Sequence, residues 1–589
     1  MAMAQQESVE SINTDNREFQ NALQILNFTH RSLFLTGKAG TGKSTFLRYI
    51  AATTKKKHIV LAPTGIAAIN AGGSTLHSFF KLPFHPLLPN DSQYSIRNLR
   101  KTMKYNGEKC KLLREVELII IDEISMVRAD IIDFIDKVLR VYNRNMREPF
   151  GGKQMLFVGD IYQLEPVVRD EDRQLLHPFY PSAFFFDAKV FQQMQLVSIE
   201  LTKVYRQNDP TFIALLDHIR TSAVTATDLY TLNHQVGAQV DTAANGLAIT
   251  LSTRRDTVDY INSTRLRELE GEATLFEGVI EGDFPENNLP SPLHLELKVG
   301  AQVLFVRNDK EKRWVNGTLG TITGFTQNEE DAPGTIQVCT EDGAELDVER
   351  EIWDNIKYSF NEKEQKIEEQ TIGTFRQFPL RLAWAITVHK SQGLTFRYVK
   401  IDFSGGVFAG GQTYVALSRC TSLQGISLQK PIRPEDIFIK SEVIRFAHTY
   451  NDQRVIHSAL EQSQADKQYY DTVQAFDRGD LQAAIDNFFL AIHSRYDIEK
   501  PAAKRLIRRK LSIIQRQQAE IDRLNEIIHQ KEAYMKKLAV EYVMMGRECE
   551  KEGFREAAIR NFEKALELCP DIPEAKRRLK KLNKSNSEK

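Results

Sequence analysis

Cysteine and long apolar runs are both scarce in this sequence. Five cysteines are scattered over 589 residues without a C-x-x-C pair, which argues against a disulfide framework and against a zinc site. The uncharged apolar runs, such as Leu118 to Ile121 and Ala183 to Phe186, are strand-sized and fall far short of the roughly 18 to 20 residues that a membrane-spanning helix needs. The sequence therefore predicts a protein of a reducing compartment, outside the membrane.

The first residues also lack the features of a targeting signal. The segment MAMAQQESVESINTDNREF has no apolar stretch, and its mixture of acids with a single arginine is unlike a transit peptide. We therefore expect a cytoplasmic location of the bacterial type, with no signal, transit or transmembrane segment.

An excess of charge of one sign is missing as well. Seventy-eight basic and 78 acidic residues cancel, so the total charge does not indicate a nucleic-acid-binding protein. The distribution is uneven, because residues 501–589 carry a surplus of +8 and residues 1–500 a balance of −8. A polyanion site within residues 1–500 must therefore be a local groove.

The composition that remains, 42% hydrophobic and 26% charged, is that of an ordinary globular protein, and the length predicts about four domains. Over the first 200 residues, short β-like segments alternate with helical periodicity, which predicts a mainly parallel α/β sheet with its binding site at the carboxyl ends of the strands. The predicted strands are Ser32 to Thr36, His58 to Ala62, Val116 to Ile121, Gln154 to Val158 and Leu196 to Leu201.

A second α/β region is predicted at about residues 202–435. Within it, residues 298–375 contain closely spaced turn signals such as Asn316-Gly317 and Asp342-Gly343, which predict a small inserted antiparallel barrel.

From residue 436 onward the pattern is almost entirely helical. Small residues and an aromatic recur with tetratricopeptide-like spacing in two places 74 residues apart, which is too far for a regular array. The two sets are Gly479, Ala484, Phe488 and Ala491, and Gly553, Ala558, Phe562 and Ala565. Between them, apolar residues recur every seven positions from Ile507 to Met535, which fits either a coiled coil or, as we prefer, a long helix that packs on its neighbours.

The strongest motif is the glycine-rich segment from Gly37 to Ser44, GKAGTGKS, between a predicted strand and a predicted helix. Its glycines allow backbone N–H groups to surround phosphates, the Lys43 ammonium meets the β- and γ-phosphates, and the Ser44 hydroxyl is a ligand for Mg²⁺. The sequence therefore predicts an ATP site, whereas the alternative is a glycine-rich turn without a ligand.

Two carboxylates follow the apolar strand at Ile119 to Ile121. Asp122 would hold Mg²⁺, and Glu123 would orient or deprotonate the attacking water. The alternative is a strand that merely ends in two solvated acids. Together with the glycine-rich loop, the pair predicts hydrolysis of a nucleoside triphosphate.

Three further residues are candidates for catalysis. Gln163 follows a strand and could sense the γ-phosphate, although glutamine in that position can also be plain polar surface. Arg206 in VYRQ and Arg419 in ALSR are candidate arginine fingers, which stabilise the charge that develops in the transition state. If both arginines reach the loop from the second α/β region, the site is a cleft between two domains.

The order of these motifs resembles superfamily 1 DNA helicases, and in particular the petite-integration-frequency (PIF-type) family. The resemblance covers about residues 15–435. The matching segments are GKAGTGKST, IIIDEISMV, the signature with Asp136, Arg140 and PFGG, then GDIYQLEPV, LTKVYRQ, AWAITVHKSQGLTF and QTYVALSRC.

This resemblance implies two RecA-like domains, at 1–195 with an accessory subdomain near 80–108, and at 196–435 with an SH3-like insertion at 298–375. It implies ATP and Mg²⁺ as cofactors and Gln20 as the residue that reads adenine. Gly37, Gly40, Thr41, Gly42, Lys43, Ser44, Thr45 and Gly393 would form the rest of the nucleotide site. The implied activity is ATP-driven 5′-to-3′ movement on single-stranded DNA with unwinding of duplexes, often including G-quadruplex or RNA–DNA hybrid substrates, in genome maintenance. The helical region at 436–589, which the residue spacing predicts to be tetratricopeptide-like, lies outside the resemblance.

A single-stranded track needs phosphate donors and flat side chains on which bases stack. The candidates follow predicted strands or occupy a barrel turn; they are Thr64, His77, Ser78, Phe79, Trp314, Asn316, Thr387, His389 and Lys390. His77 and Phe79 could instead be core residues, and Trp384 is expected in the core.

The expected partners are single-stranded DNA and duplex junctions, and the chain is expected to act as a monomer. For the C-terminal region we favour a protein partner over an extension of the DNA track. Two other functions stay open, a nucleotide-switched protein-binding scaffold and an RNA helicase.

Overall fold

In the computed structural model, the structure describes residues 16–584 except 84, 208, 241–246, 328–332, 365, 479 and 495–500. The chain divides into two compact units, Met1–Ser494 and Arg495–Lys589. No helix in the described part of the chain combines the length and the apolarity needed to cross a membrane.

The first unit begins with a six-stranded parallel sheet in the order β3-β2-β4-β5-β1-β6. Its strands are β1 (Leu33–Gly37), β2 (His58–Ala62), β3 (Ser74–Thr75), β4 (Leu118–Ile121), β5 (Gln154–Val158) and β6 (Val197–Leu201). The five predicted strands are confirmed to within two residues. Because both faces are covered, neighbouring residues of one strand enter different cores, as Phe34 and Leu35 do.

The helices of this part lie between the strands in the chain. They are α1 (Arg17–Phe28), α2 (Lys43–Thr53), α3 (Gly65–Ala71), α4 (Leu76–Phe80), α5 (Leu99–Met103), α6 (Gly107–Glu115), α7 (Ala129–Asn143) and α8 (Asp170–Leu176). Helix α1 packs on α2 through the rings of Phe19 and Phe46, whose centroids lie 4.8 Å apart. This contact fixes α1 beside α2, the helix that follows the glycine-rich loop.

A second parallel sheet has the strand order β18-β7-β19-β20 and confirms the second α/β region. Its strands are β7 (Ala248–Ser252), β18 (Ala385–Thr387), β19 (Tyr398–Asp402) and β20 (Ile426–Leu428). The accompanying helices are α9 (Pro210–Arg220), α10 (Ala226–Asn233), α11 (Arg255–Glu268) and α12 (Gln412–Leu417). Apolar residues of α9 and α12, among them Phe212 and Val415, share the core of this sheet.

Between β7 and β18 the chain forms antiparallel strands. A five-stranded sheet has the order β14-β13-β12-β11-β17, a hairpin of β15 and β16 pairs with β9, and β8 pairs with β10. The strands are β8 (Thr274–Glu277), β9 (Val279–Gly282), β10 (His294–Leu297), β11 (Gln302–Phe305), β12 (Leu319–Gln327), β13 (Pro333–Thr340), β14 (Glu345–Val348), β15 (Glu351–Asn361), β16 (Lys366–Gln377) and β17 (Leu380–Leu382). The strands of this insertion thus extend beyond residues 298–375 on both sides.

The β15–β16 hairpin reaches the first sheet. The Tyr358 hydroxyl lies 3.3 Å from both the backbone N and the backbone O of Val60 in β2. Nearby, the ammonium groups of Lys57 and Lys111 lie over the Phe360 ring. The insertion is therefore packed against the first α/β domain in this conformation.

After β20 the chain returns to the first sheet. The backbone N of Asn451 donates to the Ser198 carbonyl at 2.9 Å, and its side-chain oxygen accepts from the Glu200 N–H at 3.0 Å. Helices α13 (Ser441–Ala447) and α14 (Gln453–Asp477) flank this contact, and α14 packs on α1 and on α15 (Leu481–Ser494). The start of the predicted helical region therefore belongs to the first unit.

The second unit consists of α16 (Pro501–Lys551), α17 (Arg555–Leu568) and α18 (Pro573–Lys584). Ala558, Phe562 and Ala565 are buried in its small core, and a Cβ added to Gly546 would lie 2.7 Å from the Phe562 ring. In the earlier set, Ala484 and Ala491 are buried, whereas Gly479 lies outside the described residues. The long helix leaves Ile521 and Ile528 about half exposed, so a coiled-coil partner is still an open alternative.

Candidate active site

The glycine-rich loop joins β1 to α2. Gly40 and Gly42 have φ values of +81° and +89°, a conformation that side-chain-bearing residues rarely adopt. The loop ends at the N-terminus of α2, where the first N–H groups have no partner within the helix. This geometry suits an anion, and for the triphosphate of ATP it supplies both backbone donors and the helix dipole.

Lys43 lies inside this loop. Its Nζ donates to the carbonyls of Gly37 at 2.6 Å and Lys38 at 3.0 Å. Burial lowers the pKa of Lys43, whereas the nearby carboxylates of Asp160 and Glu123 raise it. Next to it Ser44 is exposed and Thr45 half-buried, while Thr41 is buried and donates to the Lys38 carbonyl, which shapes the loop.

The two predicted carboxylates follow β4 directly. Burial raises the pKa of Asp122 to about 7, and the adjacent Glu123 charge adds to that shift. Burial also raises the pKa of Glu123, against the opposing effect of Lys43 and Arg419. Lys43 of the first domain and Arg419 of the second thus lie near these acids.

Residues of the second α/β domain close over the loop from the other side. The backbone N of Tyr205 donates to the Gly40 carbonyl at 2.8 Å, and the Tyr414 hydroxyl accepts from the Ala39 N–H at 2.9 Å. Both predicted arginines lie here: Arg206 Nη1 donates to the Ser418 carbonyl, and Arg419 is fully buried. Burial, together with the positive charge of Arg206, lowers the pKa of Arg419 to about 9.

Gln163 connects the same two domains. It is buried, and its Oε1 accepts from Gln392 Nε2 of the second domain at 3.4 Å. The structure therefore brings the loop, the acids, Gln163 and both arginines into one interdomain cleft.

The remaining nucleotide candidates lie at its margin. Gln20 is exposed in the first turn of α1, beside the Phe19 that packs on α2. Gly393 lies in the turn after β18 with a φ of +79° and has open space where a Cβ would be.

Sequence reasoning missed several residues of the cleft. Tyr414 and Asp160 lie in quoted motifs but were given no role, and Arg220 and Glu200 lie outside them. Arg220 pairs with Asp160 and Glu200, and these contacts join residues too far apart for a sequence pattern to pair. The one available signal was an arginine at the end of a helix that is apolar from Phe212 to Leu216.

Two of the DNA candidates line one groove between the domains. Asn316 of the insertion and Lys390 of the second domain share it with Asn70 of α3 and with Arg381, two residues that sequence reasoning did not select. The Asn316 amide donates to the Asn70 side chain at 3.4 Å. The groove therefore carries polar and cationic groups from three parts of the first unit.

The other DNA candidates flank the carboxyl ends of the strands. Thr64 is exposed and caps α3, Ser78 is exposed on α4, and His77 is half-buried with a pKa lowered by burial. After β18, Thr387 accepts from the Lys390 N–H, and His389 stacks on Phe408.

Two aromatic candidates need correction. Phe79 is 4% exposed and packs on Phe80 and Tyr358, with the Lys109 ammonium over its ring. Trp314 is 5% exposed and stacks on Phe305. Because neither ring has a free face, we assign both to the core and not to base stacking; Trp384 is partly buried, as expected.

The Asp136–Arg140 signature has a structural role here. Arg140 Nε donates to the Asp136 carboxylate at 2.8 Å, and its other nitrogens reach the Met146 carbonyl and Gln193. The Asp136 carboxylate also accepts from the Phe150 N–H. The signature therefore ties helix α7 to the PFGG turn that precedes β5.

A metal would depend on few protein ligands. Among the described residues, no group of three or more His, Cys, Asp or Glu side chains could hold an ion. Mg²⁺ commonly takes one or two protein oxygens and completes its shell with phosphates and water. The Ser44 hydroxyl and the Asp122 carboxylate, which flank the loop, fit that requirement.

Comparisons with known proteins identify the family of this chain. A family model described as PIF1-like helicase matches residues 11–228, and one described as DNA helicase Pif1, 2B domain, matches residues 285–325. The ATP-dependent DNA helicase PIF1 of Homo sapiens is 36% identical over 409 residues, which cover 67% of this chain and 58% of the human protein. The chain thus spans a little over half the length of that relative.

Solved structures are similar over most of the first unit. The structure of Bacteroides sp Pif1 in complex with ADP-AlF4 has a TM-score of 0.67 at 40% identity, and the match covers 74% of this chain and 97% of that one. Bacteroides Pif1 bound to ssDNA has a TM-score of 0.54 at 40% identity, with 75% and 98% covered. With this identity over nearly all of a solved relative, the chain belongs to the PIF1-like helicase family.

Proposed function

We propose that this protein is an ATP-dependent DNA helicase. The observation that carries the proposal is the interdomain cleft, in which the loop and acids of one α/β domain meet the arginines of the other. The human relative is named as an ATP-dependent DNA helicase, and the Bacteroides relative has been solved with ADP-AlF4 and with ssDNA. The carried-over activity is ATP-driven 5′-to-3′ movement on single-stranded DNA with unwinding of duplexes, G-quadruplexes or RNA–DNA hybrids, in genome maintenance.

The residues of the cleft divide the work of hydrolysis. The loop N–H groups and Lys43 bind the phosphates, and Ser44 and Asp122 hold Mg²⁺, which neutralises phosphate charge when bound. Glu123 orients and deprotonates the attacking water, and Gln163 senses the γ-phosphate. Arg206 and Arg419 stabilise the charge that develops in the transition state, and Gln20 reads the adenine.

Closure of the cleft moves the DNA groove. Asn70 lies on the first α/β domain, Lys390 on the second and Asn316 on the insertion, so a change in the angle between domains changes the spacing of these phosphate contacts. Thr64, His77, Ser78, Thr387 and His389 extend the track along the strand ends. Alternating contact strength during the ATP cycle then produces movement along the strand.

The finer assignments of domains and partners are part of this proposal. The domains are RecA-like, the five-stranded antiparallel sheet is an SH3-like barrel, and residues 80–108 form the accessory subdomain. The C-terminal helices are tetratricopeptide-like and bind a protein partner. The chain acts as a cytoplasmic monomer on single-stranded DNA and duplex junctions.

The test is the ATPase rate with and without a single-stranded DNA oligonucleotide. We expect stimulation by DNA in the natural protein, and loss of hydrolysis in Lys43→Ala with the fold intact, since the hydrogen bonds of Lys43 Nζ go to carbonyls of the loop. Near-normal turnover in Lys43→Ala would contradict the site. Absence of stimulation would favour a nucleotide-switched scaffold, and stronger stimulation by an RNA strand of equal length would favour an RNA helicase.

Polarity is tested separately with matched duplexes that carry a 5′ or a 3′ overhang. We expect strand separation from the 5′ overhang, and separation from the 3′ overhang alone would contradict the direction.

A further inference from the structure

Arg220 is the last residue of α9, a helix whose apolar side chains lie in the core of the second α/β domain. Its guanidinium crosses to the first domain, where Nη2 lies 3.1 Å from Asp160 Oδ1 and Nη1 lies 2.9 Å from Glu200 Oε1. It also lies over the Tyr162 ring, 4.3 Å from the centroid. One buried cation of the second domain is thus held by two carboxylates and an aromatic ring of the first.

Asp160 also forms hydrogen bonds with Gln163. Its Oδ1 also accepts from the Tyr162 N–H at 3.2 Å, and its Oδ2 accepts from Gln163 Nε2 at 3.5 Å. The Gln163 N–H in turn donates to the Asp160 carbonyl at 3.0 Å. The side chain and the backbone of Asp160 therefore both position the glutamine.

Separating the two partners of this ion pair would be energetically costly. The Asp160 side chain is fully buried and that of Arg220 is 5% exposed, so either charge alone would be left in a medium of low dielectric. Although burial lowers the pKa of Arg220, the Asp160 charge raises it well above its usual value. The pair can form only when the second domain lies where it does here, so its formation reports the position of that domain.

We propose that Arg220 is a positioning residue, which through Asp160 holds the Gln163 amide in the orientation that distinguishes ATP from ADP. The position of the second domain thereby sets how well the γ-phosphate is recognised. This inference rests on the proposed function, because it concerns the same nucleotide site.

The test compares Arg220→Gln with Glu200→Gln in the full-length protein. The second variant is a matched control, because it removes the other carboxylate of the same guanidinium but no contact with Gln163. Dissociation constants are measured for a non-hydrolysable ATP analogue and for ADP. We expect Arg220→Gln to reduce the preference for the analogue at least tenfold with ADP affinity within twofold of the natural protein, and Glu200→Gln to keep the preference.

Two further variants separate positioning from folding. If Arg220→Gln unfolds, Asp160→Asn/Arg220→Gln removes the unpaired buried charge, and we expect it to fold but still not to prefer the analogue. Gln163→Ala should show the same loss as Arg220→Gln, and the two changes together should cost no more than either alone, because they act along one path.

Several results would overturn the inference. They are a normal preference in Arg220→Gln, an equal loss in Glu200→Gln, or additive losses in the Gln163→Ala combination. If the natural protein binds neither nucleotide, both the proposed function and this inference are overturned. If the natural protein prefers the analogue and Arg220→Gln does so equally, only this inference is overturned.

Discussion

At Gly40 the second α/β domain comes very close to the nucleotide loop. A Cβ built on Gly40 would lie 2.4 Å from the Arg206 Cβ, and its φ of +81° already disfavours a side chain. We predict that Gly40→Ala displaces Arg206 and lowers the ATPase kcat by at least tenfold. The measurement is the steady-state rate at saturating ATP, with a melting curve on the same sample.

Gly237→Ala is the control for the backbone cost alone. Gly237 has a φ of +68° but nothing within 4 Å of an added Cβ. An alanine there therefore carries the left-handed penalty of about 1 kcal/mol without a clash. We expect it to keep its ATPase rate. If Gly40→Ala also keeps its rate, the close approach does not matter for catalysis.

Among single residues, the sequence predicts those that belong to a contiguous motif. The loop from Gly37 to Ser44, the two acids after β4 and both arginines were found because spacing along the chain reflects their chemistry. Arg220 and Arg381 were missed because their partners are brought to them by folding alone. Phe79 was left open between base stacking and the core because an aromatic residue after a strand gives no sign of whether its face is covered.

The signature around Asp136 acts at the level of elements, since it holds helix α7 to the turn before β5. Removing Arg140 would leave the Asp136 carboxylate, whose pKa burial already raises, without its cation. We predict that Arg140→Met lowers the free energy of unfolding by about 3 kcal/mol, measured by urea denaturation. A loss below about 1 kcal/mol would show that the tie is not structural.

Arg265→Met provides the comparison on a helix surface. Arg265 and Glu268 form an exposed pair at 3.6 Å on α11, and such pairs contribute roughly 0.5 kcal/mol or less. We expect no measurable change from this substitution.

Elements with a regular apolar pattern were predictable, whereas their long-range pairing was not. Strands β1, β2, β4, β5 and β6 are short apolar runs, and burial on both faces requires such runs in a parallel sheet. The β15–β16 hairpin packs on the first sheet through Tyr358 and Phe360. From the sequence alone, these two aromatic side chains could equally well belong to the outer face of a barrel. Nothing local in α13 and α14 indicates that they return to the first domain.

For the molecule as a whole, the C-terminal unit has a core of its own centred on Phe562. We predict that Phe562→Ala destabilises this unit by about 3 kcal/mol, because the ring fills the space beside Gly546. The expected readout is faster proteolysis within residues 501–584 of the full-length protein, with an unchanged ATPase rate.

Phe554→Ala is the matched control, because Phe554 belongs to the same unit but is 62% exposed. We expect its proteolysis to match that of the natural protein. A loss of ATPase activity in Phe562→Ala would show that the unit contributes to hydrolysis.

We expect the Asn451 contact to restrict how the second α/β domain moves relative to the first. The chain leaves the first domain at the end of β6 and is fastened again to Ser198 and Glu200 of that same strand, so both attachments lie on one line. A domain that is attached at two points along one strand rotates about that strand more readily than it moves away from it. For the proposed ATP cycle, we therefore expect the displacement of the second α/β domain to be smallest beside β6 and to grow with distance from that strand.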